Sequence, residues 1–136
     1  MHLLKVQATI EASLNHTWAC WTEEHHITQW NFATDDWCCP SAKNDLRVGG
    51  EFHYEMAAKD GTASFDFWGT YTKIEPEKTI EIALGDGRNM YVSFEASAAG
   101  TTVIEQFEPE NENPEDMQEA GWGMVLANFK KHAERK

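Results

Sequence analysis

Residues 113 to 133 (NPEDMQEAGWGMVLANFKKHA) constrain the fold more than any other stretch, because they form the only long helical pattern in the chain. Asn113 suits a cap, Pro114 the first helical position, and Glu115 and Asp116 the positive end of the helix dipole. Lys130, Lys131, His132, Arg135 and Lys136 gather where cations are favoured. Trp122, Val125, Leu126 and Phe129 recur at helical spacing as one broad apolar stripe, which Gln118 and His132 extend at either end. A stripe that wide has to be covered by a surface of its own width.

The upstream chain supplies that surface. Leu4, Val6, Ala8 and Ile10 alternate with polar neighbours, as in a half-buried strand. Ser13 or Asn15 can cap a short helix carrying Leu14, Thr17, Trp18 and Trp21 on one face, and a second short helix is expected over 25–30. Residues 31 to 45 lack periodicity and read as a loop, with Trp37 and Pro40 placed to form a rim. Five strands then follow as a meander, separated by Asp60-Gly61, Pro76, Gly85-Asp86-Gly87 and Gly100. This order predicts an α+β domain over residues 1–136: a curved antiparallel sheet of about six strands, covered on one face by the terminal helix.

Composition narrows the partners. With 23 acidic residues against 11 Lys and Arg, the net charge is −12, which argues against nucleic acid or an anionic membrane surface. No apolar run approaches the ~18 residues of a membrane span, and the start of the chain alternates like a strand rather than a signal peptide, so a cytoplasmic location is expected. Three Cys, with Cys38 and Cys39 adjacent, suit reduced thiols. Six Trp, seven Phe and three Tyr make the interior aromatic-rich.

The stretches HITQWNF, DDWCCP, DLRVGGEF, GTYTKIEP and the late AGW resemble the activator of heat-shock protein 90 ATPase branch of the START-like (SRPBCC) helix-grip superfamily, which includes the birch-pollen allergen and the polyketide cyclases. The resemblance runs from about residue 4 to 132 and implies a helix-grip fold with a ligand cavity between sheet and helix. Many such relatives are small bacterial proteins with no assigned reaction. Three classes of function are implied: a binding module for a small apolar or amphipathic molecule, a chaperone-interaction module, or a cyclase- or hydrolase-like enzyme. The co-chaperone members carry an additional N-terminal domain that this sequence lacks, so direct stimulation of a chaperone ATPase is not expected.

The candidate ligand-contacting residues are Trp18, Trp30, Phe52, Tyr54, Phe65, Phe67, Tyr71, Ile82, Val92, Glu105, Phe107, Trp122 and Leu126, with Gly69 expected to open space among them. Glu105 shares parity with Val103 and Phe107 and therefore points inward. Its plainest role is a carboxylate paired with a Tyr hydroxyl, an indole N–H or Arg47; its functional role would be a polar handle or a general acid. No nucleophile motif, Walker loop or dinucleotide fingerprint is present. His25, His26, Cys38, Cys39, His53 and His132 are metal-binding residue types. Adjacent cysteines ligate one ion poorly, however, and His25 and His26 should project to different sides of a helix, so neither metal nor cofactor is expected. Trp68 falls on the outer face by parity, consistent with a monomer or a weak homodimer.

Overall fold

The computed structural model describes residues 2–135; Met1 and Lys136, the latter counted above among the helix-end cations, lie outside them. In chain order the elements are β1 (Leu4–Ile10), α1 (Leu14–Thr22), α2 (Glu24–Ile27), β2 (Trp37–Asn44), β3 (Glu51–Ala58), β4 (Ser64–Glu75), β5 (Thr79–Leu84), β6 (Asn89–Ser97), β7 (Gly100–Phe107) and α3 (Glu115–Ala133). All seven strands form one curled antiparallel sheet in the order β1-β7-β6-β5-β4-β3-β2. Period-2 alternation drives this arrangement: in β5 and β7 every second residue is buried, and these residues face the helix.

The sheet has one strand more than the sequence suggested, because residues 37–44 of the expected loop pair with β3. Trp-Cys-Cys-Pro-Ser shows no alternation, so nothing in it signals a strand. Its place at the sheet edge explains the tolerance: the register shifts between Cys38 and Ser41, and Pro40, which has no N–H to give a ladder, lies within that irregularity.

The start of α3 also differs from expectation. Pro114, not Asn113, is the N-cap and offers no side-chain acceptor, while Asp116 Oδ1 accepts from the Met117 N–H at 2.9 Å. Gln118, inside the stripe, ties the approaching segment to the helix. Its amide donates to the Glu110 and Asn113 carbonyls at 3.0 and 2.8 Å and accepts from the Glu110 N–H at 2.9 Å. At the first helix Ser13 is the cap, accepting from the His16 N–H at 3.2 Å.

Two aromatic contacts fasten α3 to the rest of the molecule. Near its C-terminal end Phe129 is wholly buried between Trp21 and Trp30, with ring centroids 4.9 and 4.8 Å away. Near its N-terminal end Trp122 stacks on Phe107 at 3.8 Å and stays half-buried. Leu126, Ala133 and Phe129 complete the buried stripe. On the outer face Trp68 stacks on His53 at 5.3 Å, and His53 bridges Asp66 and Glu51. Among the described residues the exposed large apolar ones are Val48, Phe65, Met117 and Met124, and these form no patch around Trp68.

Removing the Phe129 ring should leave a cavity at the anchor itself. Phe129→Ala is expected to cost about 3–5 kcal/mol in urea unfolding. Met124→Ala, at an exposed position of the same helix, should stay within about 0.5 kcal/mol of wild type.

Candidate functional site: a cavity between sheet and helix

Between the two anchors the sheet curls away from α3 and leaves a cavity of about 350 Å³. Strands β3 and β4 supply Phe52, Tyr54, Met56, Phe65, Phe67 and Tyr71, while Ile82, Met90 and Glu105 come from β5, β6 and β7. Gly121, Trp122 and Val125 of α3 form the opposite wall. Trp21, Trp30, Asn31 and Ala33 close one end. A second hollow of about 220 Å³ shares Ala33, Met56, Phe65 and Val125 with it and adds Thr34 and Trp37. The two adjoin along those residues, and Trp37 and the half-exposed Phe65, with ring centroids 6.1 Å apart, line the second.

Local sequence places these groups. Trp30 Nε1 donates to the Cys20 carbonyl at 2.9 Å, which ties the end of α2 to α1. Asn128 Nδ2 donates to the Phe32 carbonyl and so holds the following segment against α3. Tyr71 donates its hydroxyl proton to Asn44, whose own amide donates to the Thr22 carbonyl at 2.7 Å. Burial pushes the Tyr71 hydroxyl up to about 12, and burial together with the neighbouring Tyr71 raises Tyr54 well above the usual phenol range. Both tyrosines stay neutral and act as oriented hydroxyls.

Glu105 is the exception to this satisfaction. It is 5% exposed, faces the cavity, and has no hydrogen-bond or ion-pair partner among the described residues. The pairing considered from sequence is not made, because Arg47 is an exposed residue bound to Asp45 at 2.9 Å. Burial alone pushes the Glu105 carboxyl up to about 8, so at neutral pH it is a protonated acid with an O–H to donate. Asn31 Nδ2 is also buried, and its interaction is a weak one with the Cys39 sulfur. Arg88 lines the cavity too, already engaged by Asp86 Oδ2 at 2.8 Å and the Glu108 carbonyl at 3.2 Å.

Of the residues named from sequence, the structure brings Trp30, Phe52, Tyr54, Phe65, Phe67, Tyr71, Ile82, Glu105 and Trp122 to the cavity wall. Trp18, Val92, Phe107 and Leu126 lie outside it in the packed interior: Trp18 meets Phe94 at 5.1 Å, and Phe107 lies beneath Trp122. Phe65 is 54% exposed and belongs to the rim. Trp21, Met56, Met90, Arg88, Asn31 and Val125 were missed. Strand parity could have found Met56 and Met90; nothing local marks the others. Gly69 opens no space, since a Cβ there would meet Ile82 Cγ2 at 2.8 Å and the Phe52 ring at 3.0 Å. The open position is Gly121, where a Cβ would meet nothing within 4 Å. Cys39 is a buried thiol pushed up to about 11 by burial first and Cys38 second, which makes it an inert packing residue.

A curled antiparallel sheet wrapped on a C-terminal helix, with a cavity between them, defines the START/SRPBCC helix-grip class. Residues 11–134 match the family described as Activator of Hsp90 ATPase homolog 1-like protein, and the chain belongs to that family. It is similar to the AHSA1-like protein from Aeromonas hydrophila, whose solution structure superposes with a TM-score of 0.93 at 38% identity, covering 98% of this chain and 92% of that one. A protein from Cytophaga hutchinsonii is 40% identical with a TM-score of 0.83, over 96% of this chain and 90% of its own. A Chromobacterium violaceum protein shares the fold alone, with a TM-score of 0.87 at 16% identity over the whole of both chains. No curated protein matches the sequence.

The buried acid makes stability depend on pH. Glu105 keeps its proton to about pH 8 in the folded chain but releases it near 4.5 when unfolded. The folded state therefore holds the extra proton between those values, and stability falls as pH rises through the window. The loss is bounded by roughly 5 kcal/mol at ~1.4 kcal/mol per unit. Urea unfolding from pH 5 to 8.5 should show this decline in wild type, and Glu105→Gln should flatten it.

Proposed function

We propose that the protein binds a small apolar or amphipathic molecule in the cavity between the sheet and α3, with Glu105 donating a hydrogen bond to the single polar group of the ligand. The observation that carries this reading is the unpartnered, protonated carboxyl facing a mostly apolar space. A core filled only for stability gains nothing from such a group, because an unmade buried hydrogen bond costs about 1–3 kcal/mol. A carbonyl, ether or hydroxyl oxygen on the ligand would recover that cost. Tyr54, Tyr71 and Asn31 would then orient the polar end, while Phe52, Phe67, Trp30 and Trp122 contact the apolar body.

The volume sits at the small end of the range for ligand sites. Burying about 200 Å² of apolar ligand surface gives on the order of 5 kcal/mol before ordering costs, so generic probes should bind at micromolar affinity or weaker. The family name suggests a chaperone partner as the second reading, and the same experiment separates the two.

A fluorescent hydrophobic probe titrated into wild type should bind saturably, and Gly121→Leu should abolish binding by filling the space. The variant should remain folded, since Gly121 is a helical position and replacing glycine there favours the helix by up to about 1 kcal/mol. Equal binding by both proteins would place the probe elsewhere. No binding by wild type would move the chaperone-interaction reading ahead.

A further inference from the structure

At the far end of α3 from the cavity, three helices converge on a group of metal-binding side chains. One donor atom each from Cys20, His26 and His132 lies within 4.8 Å of the others. His26 Nδ1 and His132 Nε2 are 2.8 Å apart, and His16 Nε2 approaches the Cys20 sulfur at 3.4 Å. His16 and Cys20 are four residues apart on α1 and so share a face. His26 comes from α2 and His132 from the last turn of α3.

The sequence argument against a metal weighed His25, His26, Cys38, Cys39, His53 and His132; His26 and His132 belong to the group, and Cys20, which it left out, completes it. It also placed His25 and His26 on different sides of a helix. The α2 helix has only four residues, and the two rings lie 4.2 Å apart.

We propose that Cys20, His26 and His132 bind a zinc-type divalent cation, with a water in the fourth position. Ligands on one tetrahedral zinc sit about 3.3 Å (N to N) and about 3.5 Å (N to S) apart, from bonds of ~2.0–2.1 and ~2.3 Å. His16 is not counted as a ligand, because its Nε2 already donates to the Ala133 carbonyl at 2.9 Å. The imidazole pair needs to open by roughly half an ångström to bracket the ion. One thiolate with two imidazoles and a water is a donor set that zinc accepts, and softer than the all-oxygen sites of calcium or magnesium.

A hydrogen-bonded imidazole cluster is the alternative; it rests on the single His26–His132 contact and leaves the Cys20 thiol beside His16 alone, while the other His132 nitrogen faces away from the group in either case. His132 Nδ1 is buried with no partner among the described residues. The thiol is buried, but His16 is exposed and His26 and His132 are half-buried, so a hydrated ion has a route in. A bound ion would fasten α1 and α2 to the end of α3, and through the Cys20 carbonyl it would steady the Trp30 indole at the cavity wall.

The test uses the full chain without a histidine tag, stripped with a chelator and titrated with Zn²⁺ by calorimetry and with Co²⁺ by visible absorption. The expected result is one equivalent per chain and a rise in Tm with zinc. In Cys38→Ser/Cys39→Ala, where Cys20 is the sole thiol, cobalt should still give a thiolate charge-transfer band with tetrahedral d–d absorption. Cys20→Ser should lose the band, and His132→Gln should lose one-to-one binding. Should Cys20→Ser fail to fold, the sole-thiol variant decides alone, because its charge-transfer band can come only from Cys20. Absence of stoichiometric binding to wild type, absence of the band in the sole-thiol variant, or binding unaltered in His132→Gln would leave an imidazole cluster only and overturn the site.

Discussion

The structure depends on how α3 is held at two points rather than along its whole length. Phe129 is locked between Trp21 and Trp30, and Trp122 lies flat on Phe107. These aromatic contacts bury large areas with fixed geometry, so they set both the height and the tilt of the helix over the sheet. The sheet curls between them, as twisted antiparallel strands do. A straight helix on a curled surface cannot stay in contact throughout. The cavity is therefore a consequence of the grip, and small residues such as Gly121 and Ala33 at its wall keep it open.

The molecule treats its buried polar groups in two ways. Gln118, Asn44, Tyr71 and Trp30 all have specific partners, and they join segments distant in sequence. Such bonds add little net energy, but leaving them unmade is costly, so they specify one arrangement. Glu105, Asn31 Nδ2 and His132 Nδ1 break the pattern. Glu105 presents its carboxyl to the cavity, whereas the Asn31 and His132 nitrogens are sealed in packed surroundings.

Family membership rests on relatives at 38 and 40% identity, whereas relatives at 14 to 18% share only the fold. A helix-grip architecture provides the gap between helix and sheet. The fold by itself does not specify what such a gap holds; that depends on the residues of its wall.

Strand alternation and the helical stripe are one-dimensional patterns, and they were legible in the chain: β1, the strands from β3 to β7, the bounds of α3 and the inward aim of Glu105 all follow from period and parity. Strand β2 was not legible, because an edge strand interrupted by a bulge and Pro40 has no period to read. Gly69 was misjudged because alternation says which face a residue is on and not what lies above it; the Phe52 and Ile82 side chains fill that place. The meeting of Cys20, His26 and His132 lay furthest beyond the sequence, since two of its members are 112 residues apart. Local periodicity determined the elements and their faces. The crossing of α3 over the curled sheet decided which faces meet, and with them the cavity and the histidine group, because that crossing is set by packing between side chains far apart in the chain.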